Sequence, residues 1–247
     1  MDDATLLNIW SHLLGVFAAI VASLYSYLIV HPRYQSANTA DVVAFGLFFG
    51  GAVLCLGMSA AFHALLSHSE TVAKWGNKLD YSGIVALIVG SYMPALYYGF
   101  FCEPALMEFY IVLICTLGAG CGVVSWVDKF RTPAWRPYRA AMFIGLGLSG
   151  VVPVVHCVSI YGYSVVMDRM AVNWIIIHGV MYIFGAVLYA ARWPERSWPG
   201  VFDIWGSSHQ IFHIFVLMAA GTHLYAMSRA FDYHHTVMAS QCPSEAN

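Results

Sequence analysis

The stretch Ser207-Ser208-His209-Gln210-Ile211-Phe212-His213 opens the last long apolar run of the sequence. If this run is helical, His209 and His213 lie one turn apart on the same face, where both imidazoles can reach one ion. The spacing alone is a weak signal, because apolar helices also carry unrelated histidines. It gains weight because this run is the seventh apolar segment, and two earlier segments bring further candidate ligands to the same depth.

The composition is that of a membrane protein. Of the 247 residues, 60% are hydrophobic and only 10% are charged, and the mean hydropathy is +0.68. Soluble domains carry about a quarter charged residues, so this chain has too few charges to cover a water-facing surface. The net charge of -2 argues against a nucleic-acid partner.

Seven apolar runs are each long enough to cross roughly 30 Å of hydrocarbon as a helix. The connections between them are short and hold most of the charged residues, and no segment has the composition of a separate linker. The predicted fold is therefore all-α and polytopic, with residues 1–247 forming one domain. The predicted spans are about 8–30, 41–66, 80–101, 108–127, 138–160, 170–192 and 205–229.

The distribution of Lys and Arg predicts a cytosolic N-terminus and an outer C-terminus. With that orientation the inner loops hold Lys74, Lys78, Lys129, Arg131, Arg136, Arg139, Arg192 and Arg196. The outer side then holds only Arg33, Arg169 and Arg229. The acidic start Met1-Asp2-Asp3 lacks the basic residues of a cleaved signal peptide, so we expect the first span to act as its own insertion signal.

Two other features concern helix shape and cysteine pairing. Gly90-Ser91-Tyr92-Met93-Pro94 lies within the third span and Gly150-Val151-Val152-Pro153 within the fifth, and proline predicts a kink in each. Glycine and proline are also generally common in membrane helices.

The six cysteines form no CxxC pair, and most lie in apolar runs. Cys102 and Cys242 would pair only if one side of the membrane held both, and we expect them to remain unpaired.

Four polar side chains are predicted to meet at one depth near the inner leaflet. His63 lies a few residues before the inner end of the second span, and Asp80 lies at the start of the third. His209 and His213 occupy the first two turns of the seventh. The convergence does not depend on the orientation, because all four residues would move together.

The remaining histidines provide an internal comparison. His156, His178 and His223 lie toward the opposite ends of the fifth, sixth and seventh spans. We place His31, His68, His234 and His235 in loops or the tail, and only His12 shares the depth of the predicted ligands. A single histidine in an apolar helix is more often a structural residue than a ligand. His12 is kept as a group that could support the ligands.

Three imidazoles and a water are the composition of a catalytic zinc site, whereas structural sites usually close with four protein ligands. Zinc would provide a nucleophile at neutral pH, and Asp80 could hold the water and move its proton. The alternative for Asp80 is an N-cap of the third span. Ser59, one turn before His63, could stabilise an oxyanion, or could be a small residue that permits helix packing. No HExxH occurs, so the sequence is not that of a zincin.

Several motifs, taken in order, resemble the progestin and adipoQ receptor family, which includes the adiponectin receptors and is distantly similar to hemolysin III. They begin with Asn8-Ile9-Trp10-Ser11-His12-Leu13-Leu14-Gly15, Ser59-xxx-His63 and Lys78-Leu79-Asp80-Tyr81-Ser82-Gly83-Ile84. They continue through Gly90–Pro94 with Tyr97-Tyr98, Arg192-Trp193-Pro194-Glu195-Arg196, Pro199-Gly200-Val201-Phe202-Asp203 and Ser208–His213. The resemblance favours the adiponectin-receptor branch and a fungal source.

The resemblance implies seven helices with the N-terminus inside, and a zinc ion in the inner leaflet held by His63, His209 and His213. It implies that Asp80 positions water, and it links the chain to ceramidase-type hydrolysis and to hormone or sterol signalling. Family members normally carry a cytosolic segment before the first span, whereas here the first span begins almost at once. We therefore carry over no expectation of partner binding through that segment.

Two functions follow as hypotheses. The first is zinc-dependent hydrolysis of a lipid amide, with ceramide as the leading candidate, in a plasma-membrane or endomembrane protein whose cavity between helices holds ceramide or a free fatty acid. The second is a signalling receptor in which zinc is structural, with a protein or hormone ligand that the sequence does not identify. A transporter is disfavoured because no paired repeats or line of charges are visible. A G-protein-coupled receptor is disfavoured by the predicted orientation.

Overall fold

The computed structural model describes residues 3–202 and 204–242. The described residues form helices and connecting turns, with no strand, and seven of the helical segments are long and apolar enough to cross a membrane. The predicted all-α, seven-span fold is thereby confirmed. Asp203, the last residue of one motif, lies outside the described residues, as do the first two residues of the acidic start.

The first four spans are single long helices joined by short turns. They are α1 (Asp3–Tyr25, extended by irregular helical turns to Arg33), α2 (Thr39–Leu65), α3 (Glu70–Gly99) and α4 (Pro104–Trp126). The second half of the bundle contains α5 (Arg136–Leu148), α6 (Val151–Tyr161), α7 (Tyr163–Arg169), α8 (Val172–Ala191) and α9 (Ser208–Thr236). Together α5 and α6 form the fifth span, and the short α7 connects it to the sixth.

The third span begins ten residues earlier than predicted, at Glu70 rather than at residue 80. Ser69 caps it, because the Ser69 hydroxyl accepts a hydrogen bond from the Val72 backbone N–H. The first turns carry Lys74 and Lys78, so they are helical without being apolar, and hydropathy does not reveal them. Since Asp80 lies well inside α3, the alternative reading of Asp80 as an N-cap is wrong.

Close approach of α2 and α3 fixes the centre of the bundle. A Cβ atom on Gly51 would lie 2.5 Å from the Ala86 carbonyl oxygen, and one on Gly83 would lie 2.7 Å from the Cα of Cys55. Any side chain at these positions would collide with the backbone of the other helix. This contact sets the relative positions of His63 on α2 and Asp80 on α3.

The fifth span is interrupted between Leu148 and Val151, close to the predicted Gly150–Pro153 motif. The Tyr92 hydroxyl of α3 lies 3.0 Å from the Leu146 carbonyl oxygen and 2.8 Å from that of Gly147. A side chain of the neighbouring helix thus satisfies carbonyls that the interruption leaves free. In the third span, by contrast, α3 runs without interruption through Pro94.

The end of the bundle opposite the candidate ligands is closed by a disulfide between Cys102 and Cys242. The expectation that these cysteines remain unpaired is wrong, because the α3–α4 turn and the residues after α9 meet at one end. We call this the disulfide end, and the end that carries His63 the histidine end. His234 and His235 were predicted to lie in the tail, but α9 extends to Thr236 and buries both.

Candidate metal centre

Three imidazoles converge at the histidine end. His63 comes from the last turn of α2, and His209 and His213 come from the first two turns of α9. The Nε2 atom of His209 lies 3.0 Å from Nε2 of His63 and 3.1 Å from Nε2 of His213. His63 and His213 are buried, and each of the three residues has a ligand atom within 4.8 Å of the others. The three histidines that the sequence singled out are therefore brought together.

This arrangement has the donor set and spacing of a metal site. Two nitrogens bound tetrahedrally to zinc at about 2.0–2.1 Å lie roughly 3.3 Å apart, close to the observed separations. Nε2 of His209 can donate its single proton to only one of its two neighbouring nitrogens, so hydrogen bonds donated by His209 do not explain both short distances. A cation shared by all three rings explains why they converge. The three histidines fit a metal ion, and they are the only such group among the described residues.

The first helix covers this centre from one side. The imidazole of His12 is buried and stacks on that of His213, with ring centroids 3.7 Å apart and an angle of 11° between planes. The Ser11 hydroxyl lies 3.5 Å from Nδ1 of His213, the nitrogen that faces away from the other ligands. Groups that contact the second nitrogen of a ligating histidine fix its orientation. His12 therefore holds the supporting position predicted for it, and Ser11 adds a contact that the sequence did not indicate.

Asp80 and Ser59 lie beside each other in the same cavity as His209 and His213. Ser59 is buried, and its side chain lies close to the Asp80 carboxyl. A carboxyl group next to a candidate metal site is in a position to hold and move a proton. The predicted roles of Asp80 and Ser59 in catalysis remain predictions, while their place at the site is clear.

The cavity has a volume of about 400 Å³ and extends from the histidine end toward the middle of the bundle. Its walls are mainly apolar, with side chains such as Leu87, Ile88, Phe143, Ile183 and Val216. Concave, mostly apolar sites with a few polar groups are typical of small-molecule binding. The cavity is therefore suited to a largely apolar ligand with a polar group near the three histidines.

Arginines that the sequence analysis assigned only to loops line the mouth of this cavity: Arg131, Arg136 and Arg139. Arg139 donates hydrogen bonds of 2.6 Å and 2.9 Å to the carbonyl oxygens of Phe130 and Thr132. The guanidinium of Arg136 lies over the Tyr189 ring at 4.9 Å. Among the described residues, no carboxylate lies within salt-bridge distance of Arg136 or Arg139. The mouth therefore carries uncompensated positive charge beside the metal centre.

Glu195, in the loop before α9, holds the start of the helix that carries two of the ligands. Its carboxylate accepts hydrogen bonds of 2.8 Å from the backbone N–H of Ser208 and 2.6 Å from the Ser208 hydroxyl. Partial burial acts to raise the pKa of Glu195, but these bonds, its own backbone N–H and the charge of Arg192 outweigh it and lower that pKa below its usual range. An anion at a helix N-terminus is stabilising. The sequence pointed to this residue only as part of a family motif.

Comparison with known proteins agrees with this architecture. Residues 4–224 match the model of the family described as haemolysin-III related. The chain is 47% identical over 235 residues to "Adiponectin receptor protein" of Drosophila melanogaster and 40% identical over 234 residues to "ADIPOR-like receptor IZH2" of Saccharomyces cerevisiae. It is 42% identical over 236 residues to "Progestin and adipoQ receptor-like protein 1" of Caenorhabditis elegans.

These matches cover nearly the whole chain but not the whole of each relative. They include 95%, 94% and 96% of this chain, and 52%, 73% and 53% of the fly, yeast and worm proteins respectively. The chain thus spans about half the length of two of these relatives. The fungal source stays a prediction. The protein is an integral membrane protein that belongs to the haemolysin-III-related family and resembles its adiponectin receptor and progestin and adipoQ receptor-like members.

Proposed function

We propose that the protein is a zinc-dependent hydrolase of lipid amides, with ceramide as the leading candidate substrate. The observation that carries the proposal is that His209, His213 and Asp80 line one apolar cavity of about 400 Å³. A ligand with a long hydrocarbon chain and an amide near its polar end matches both the walls and the end of this cavity.

The metal in this proposal is zinc, because three imidazoles without a fourth ligand from the described residues are a donor set of catalytic zinc sites. When bound, zinc supplies Lewis-acid polarisation of a carbonyl and activation of water at neutral pH. Asp80 orients the attacking water, accepts its proton and delivers a proton to the leaving amine. Ser59 lies beside the Asp80 carboxyl, and in this proposal its hydroxyl donates to the developing oxyanion.

In this proposal the arginines at the mouth bind the carboxylate of the fatty acid that the hydrolysis releases. Arg136 and Arg139 lack carboxylate partners among the described side chains, and both line the cavity. A guanidinium is charged at every physiological pH and binds carboxylates through paired hydrogen bonds. A free fatty acid would therefore be held with its carboxylate at the mouth and its hydrocarbon chain in the cavity.

In this proposal the histidine end faces the cytosol and the C-terminus lies outside. The excess of Lys and Arg at the histidine end supports this orientation. The disulfide between Cys102 and Cys242 at the opposite end adds a second argument, because disulfides persist in oxidising compartments. The hydrolytic site then lies close to the cytosolic leaflet of the plasma membrane or of an endomembrane.

The test combines metal analysis with product detection on the purified protein. We expect about one zinc per chain and release of fatty acid from ceramide. His209→Ala should lose both metal and turnover, whereas Asp80→Asn should keep the metal and lose turnover. His156→Ala is the matched control, because His156 binds the Tyr110 hydroxyl on the other side of the bundle and does not line the cavity. Turnover that persists after the metal has been stripped would refute the proposal.

The second candidate function is a signalling receptor in which zinc is structural. It is favoured by the burial of His63 and His213 and by the relatives that are named receptors. In that case removal of zinc lowers the melting temperature strongly, Asp80→Asn changes it little, and no product forms from any lipid amide. Binding measurements in nanodiscs would test for a protein or hormone ligand of such a receptor. Measurement of particle size would give its oligomeric state.

A further inference from the structure

A second polar region lies deep in the bundle, on the wall of the same cavity. His178 and Tyr182 of α8 and Ser91 of α3 line the cavity alongside its apolar side chains. The His223 ring on α9 and the His178 ring pack edge to face, with ring centroids 4.8 Å apart and an angle of 76° between planes. None of these residues takes part in the proposed hydrolysis, so their presence in the apolar interior of the bundle needs another explanation.

Three helices independently give the distance of this region from the level of the three histidines. At 1.5 Å per residue, His223 lies about 15 Å along α9 from His213, and Ser91 lies about 16 Å along α3 from Asp80. On α8, His178 lies about 16 Å from Tyr189, whose ring contacts that of His209 at 5.3 Å. The polar region and the three histidines therefore lie at two levels of one cavity, roughly 15–16 Å apart.

The hydrogen-bonding groups of this region are incompletely used. The buried hydroxyl of Tyr182 has no hydrogen-bond partner in the described part of the chain. His223 is 2% exposed, and although the Ser91 carbonyl is near it, neither ring nitrogen makes a hydrogen bond of good geometry. Buried polar groups without partners are rare in native proteins, so each such group points to a missing partner.

His178 and Tyr182 offer complementary functions. Nδ1 of His178 lies 3.3 Å from the Trp174 carbonyl oxygen, and because a carbonyl only accepts, Nδ1 carries the proton. Nε2 of the neutral ring is then an acceptor, while the Tyr182 hydroxyl is an unused donor. A ligand hydroxyl can donate to Nε2 and accept from Tyr182 at once. A ketone can use only Tyr182, and a methylene can use neither.

We propose that the cavity selects lipids that carry a hydroxyl group in the middle of the acyl chain, bound by His178 and Tyr182. This inference rests on the proposed function, since it places the acyl carbonyl, or the carboxylate of a free acid, at the level of the three histidines. Arg136 lies at the same level, because its guanidinium is over the Tyr189 ring that contacts His209. With carbon–carbon bonds of about 1.5 Å in a zigzag chain, a separation of 15–16 Å corresponds to roughly twelve carbons. The preferred ligand is therefore an acid or amide hydroxylated near carbon 12.

The test is competition between matched free acids. Purified, metal-loaded protein in nanodiscs is equilibrated with an equal mixture of stearic acid and 12-hydroxystearic acid, and the retained lipids are quantified by mass spectrometry. We expect a roughly three- to tenfold enrichment of the hydroxylated acid, as one or two hydrogen bonds would give. With 2-hydroxystearic acid no enrichment is expected, because its hydroxyl lies at the wrong level.

Two variants separate the contributions of His178 and Tyr182 to the enrichment of the hydroxylated acid. Tyr182→Phe and His178→Phe should each reduce the enrichment, and the double variant should abolish it. With 12-oxostearic acid, a smaller enrichment should survive His178→Phe but not Tyr182→Phe. His156→Phe is the matched control and should leave every ratio unchanged. Melting temperature and metal content measured on each variant show that folding is preserved.

The outcomes are decisive in both directions. Equal retention of the two acids by the wild-type protein, retention of neither acid, or an enrichment that survives the double variant overturns the proposal. Because the competition uses free acids, it does not depend on turnover. Enrichment without hydrolysis of any amide would support the hydroxyl-binding site and contradict the hydrolase function. Hydrolysis without enrichment would support the hydrolase function and contradict the hydroxyl-binding site.

Discussion

The imidazole of His12 lies flat against that of His213, with ring centroids 3.7 Å apart and planes within 11° of each other. This contact joins the first span to a ligand of the seventh and restricts rotation of the His213 ring. Residues that orient a ligand typically change metal affinity by 10–100-fold when they are replaced. His12→Leu should therefore weaken zinc binding by roughly tenfold without removing the site, as measured by competition with a chromogenic chelator.

His68→Leu is the control for that measurement, because His68 is exposed in the turn between α2 and α3 and touches none of the ligands. Unchanged affinity in His12→Leu would mean that the stacked ring has no part in holding His213.

The glycines between α2 and α3 give a second prediction. Gly51→Ala places a methyl group 2.5 Å from the Ala86 carbonyl oxygen and should destabilise the protein by about 1–3 kcal/mol. Gly46 is on the same helix, and apart from its own helix no atom of the described residues lies within 4 Å of its ideal Cβ position, so Gly46→Ala should be neutral or stabilise by up to about 1 kcal/mol. Thermal unfolding of both variants in one detergent gives the comparison, and equal melting temperatures would contradict it.

Stability at acidic pH should depend on Glu195. Its pKa is lower in the folded protein, so the stability that it contributes is fully present above its unfolded pKa of about 4.3 and is lost as the pH falls through the folded value. Because Glu195 is only partly buried and solvent screens its charge, Glu195→Gln should cost about 0.5–1 kcal/mol at pH 7, and the difference from the wild-type protein should shrink below about pH 4. Melting temperatures between pH 3 and pH 7 measure this trend; a difference that stays constant over that range would contradict it.

Loss of the disulfide should destabilise the protein without affecting the metal centre. The bond joins residues 140 positions apart, and closing a loop of that size is worth about 5 kcal/mol in the chain-entropy model. The double variant Cys102→Ser with Cys242→Ser should melt at a lower temperature and keep its zinc. Cys115→Ser, at an exposed free cysteine, is the control.

The same cysteines test the orientation of the chain. After reduction of intact cells, a membrane-impermeant maleimide should label Cys102 and Cys242 from outside. In cells whose plasma membrane alone is permeabilised, labelling of both cysteines while the internal membranes stay sealed would place the disulfide end in the cytosol and invert the proposed topology.

The sequence was sufficient for the seven spans and for the three candidate ligands, because both depend on local periodicity and on depth along each helix. It did not reveal the first turns of α3, where Lys74 and Lys78 interrupt the apolar pattern although Ser69 starts the helix. Hydropathy measures burial in lipid, whereas helix formation in these turns depends on capping and on contacts with neighbouring turns.

The pairing of Cys102 with Cys242 and the arginine-lined mouth escaped prediction for a different reason. Both depend on which connections lie next to one another around the bundle, and hydropathy carries no information about lateral neighbours. His178 and His223 show the same limit. Their depth along the helices separates them from the three candidate ligands, but only the packing of α8 on α9 reveals that they form one polar region beside the cavity.

Helix α9 runs unbroken from Ser208 to Thr236. Its first two turns hold two of the candidate metal ligands, and near its last turn His235 lies 3.3 Å from the buried carboxylate of Asp41 on α2. The third candidate ligand, His63, belongs to the far end of that same α2. Because α9 contacts α2 near both of its ends, any sliding of α9 along α2 at the disulfide end also changes the distances between His63 and the two histidines of α9.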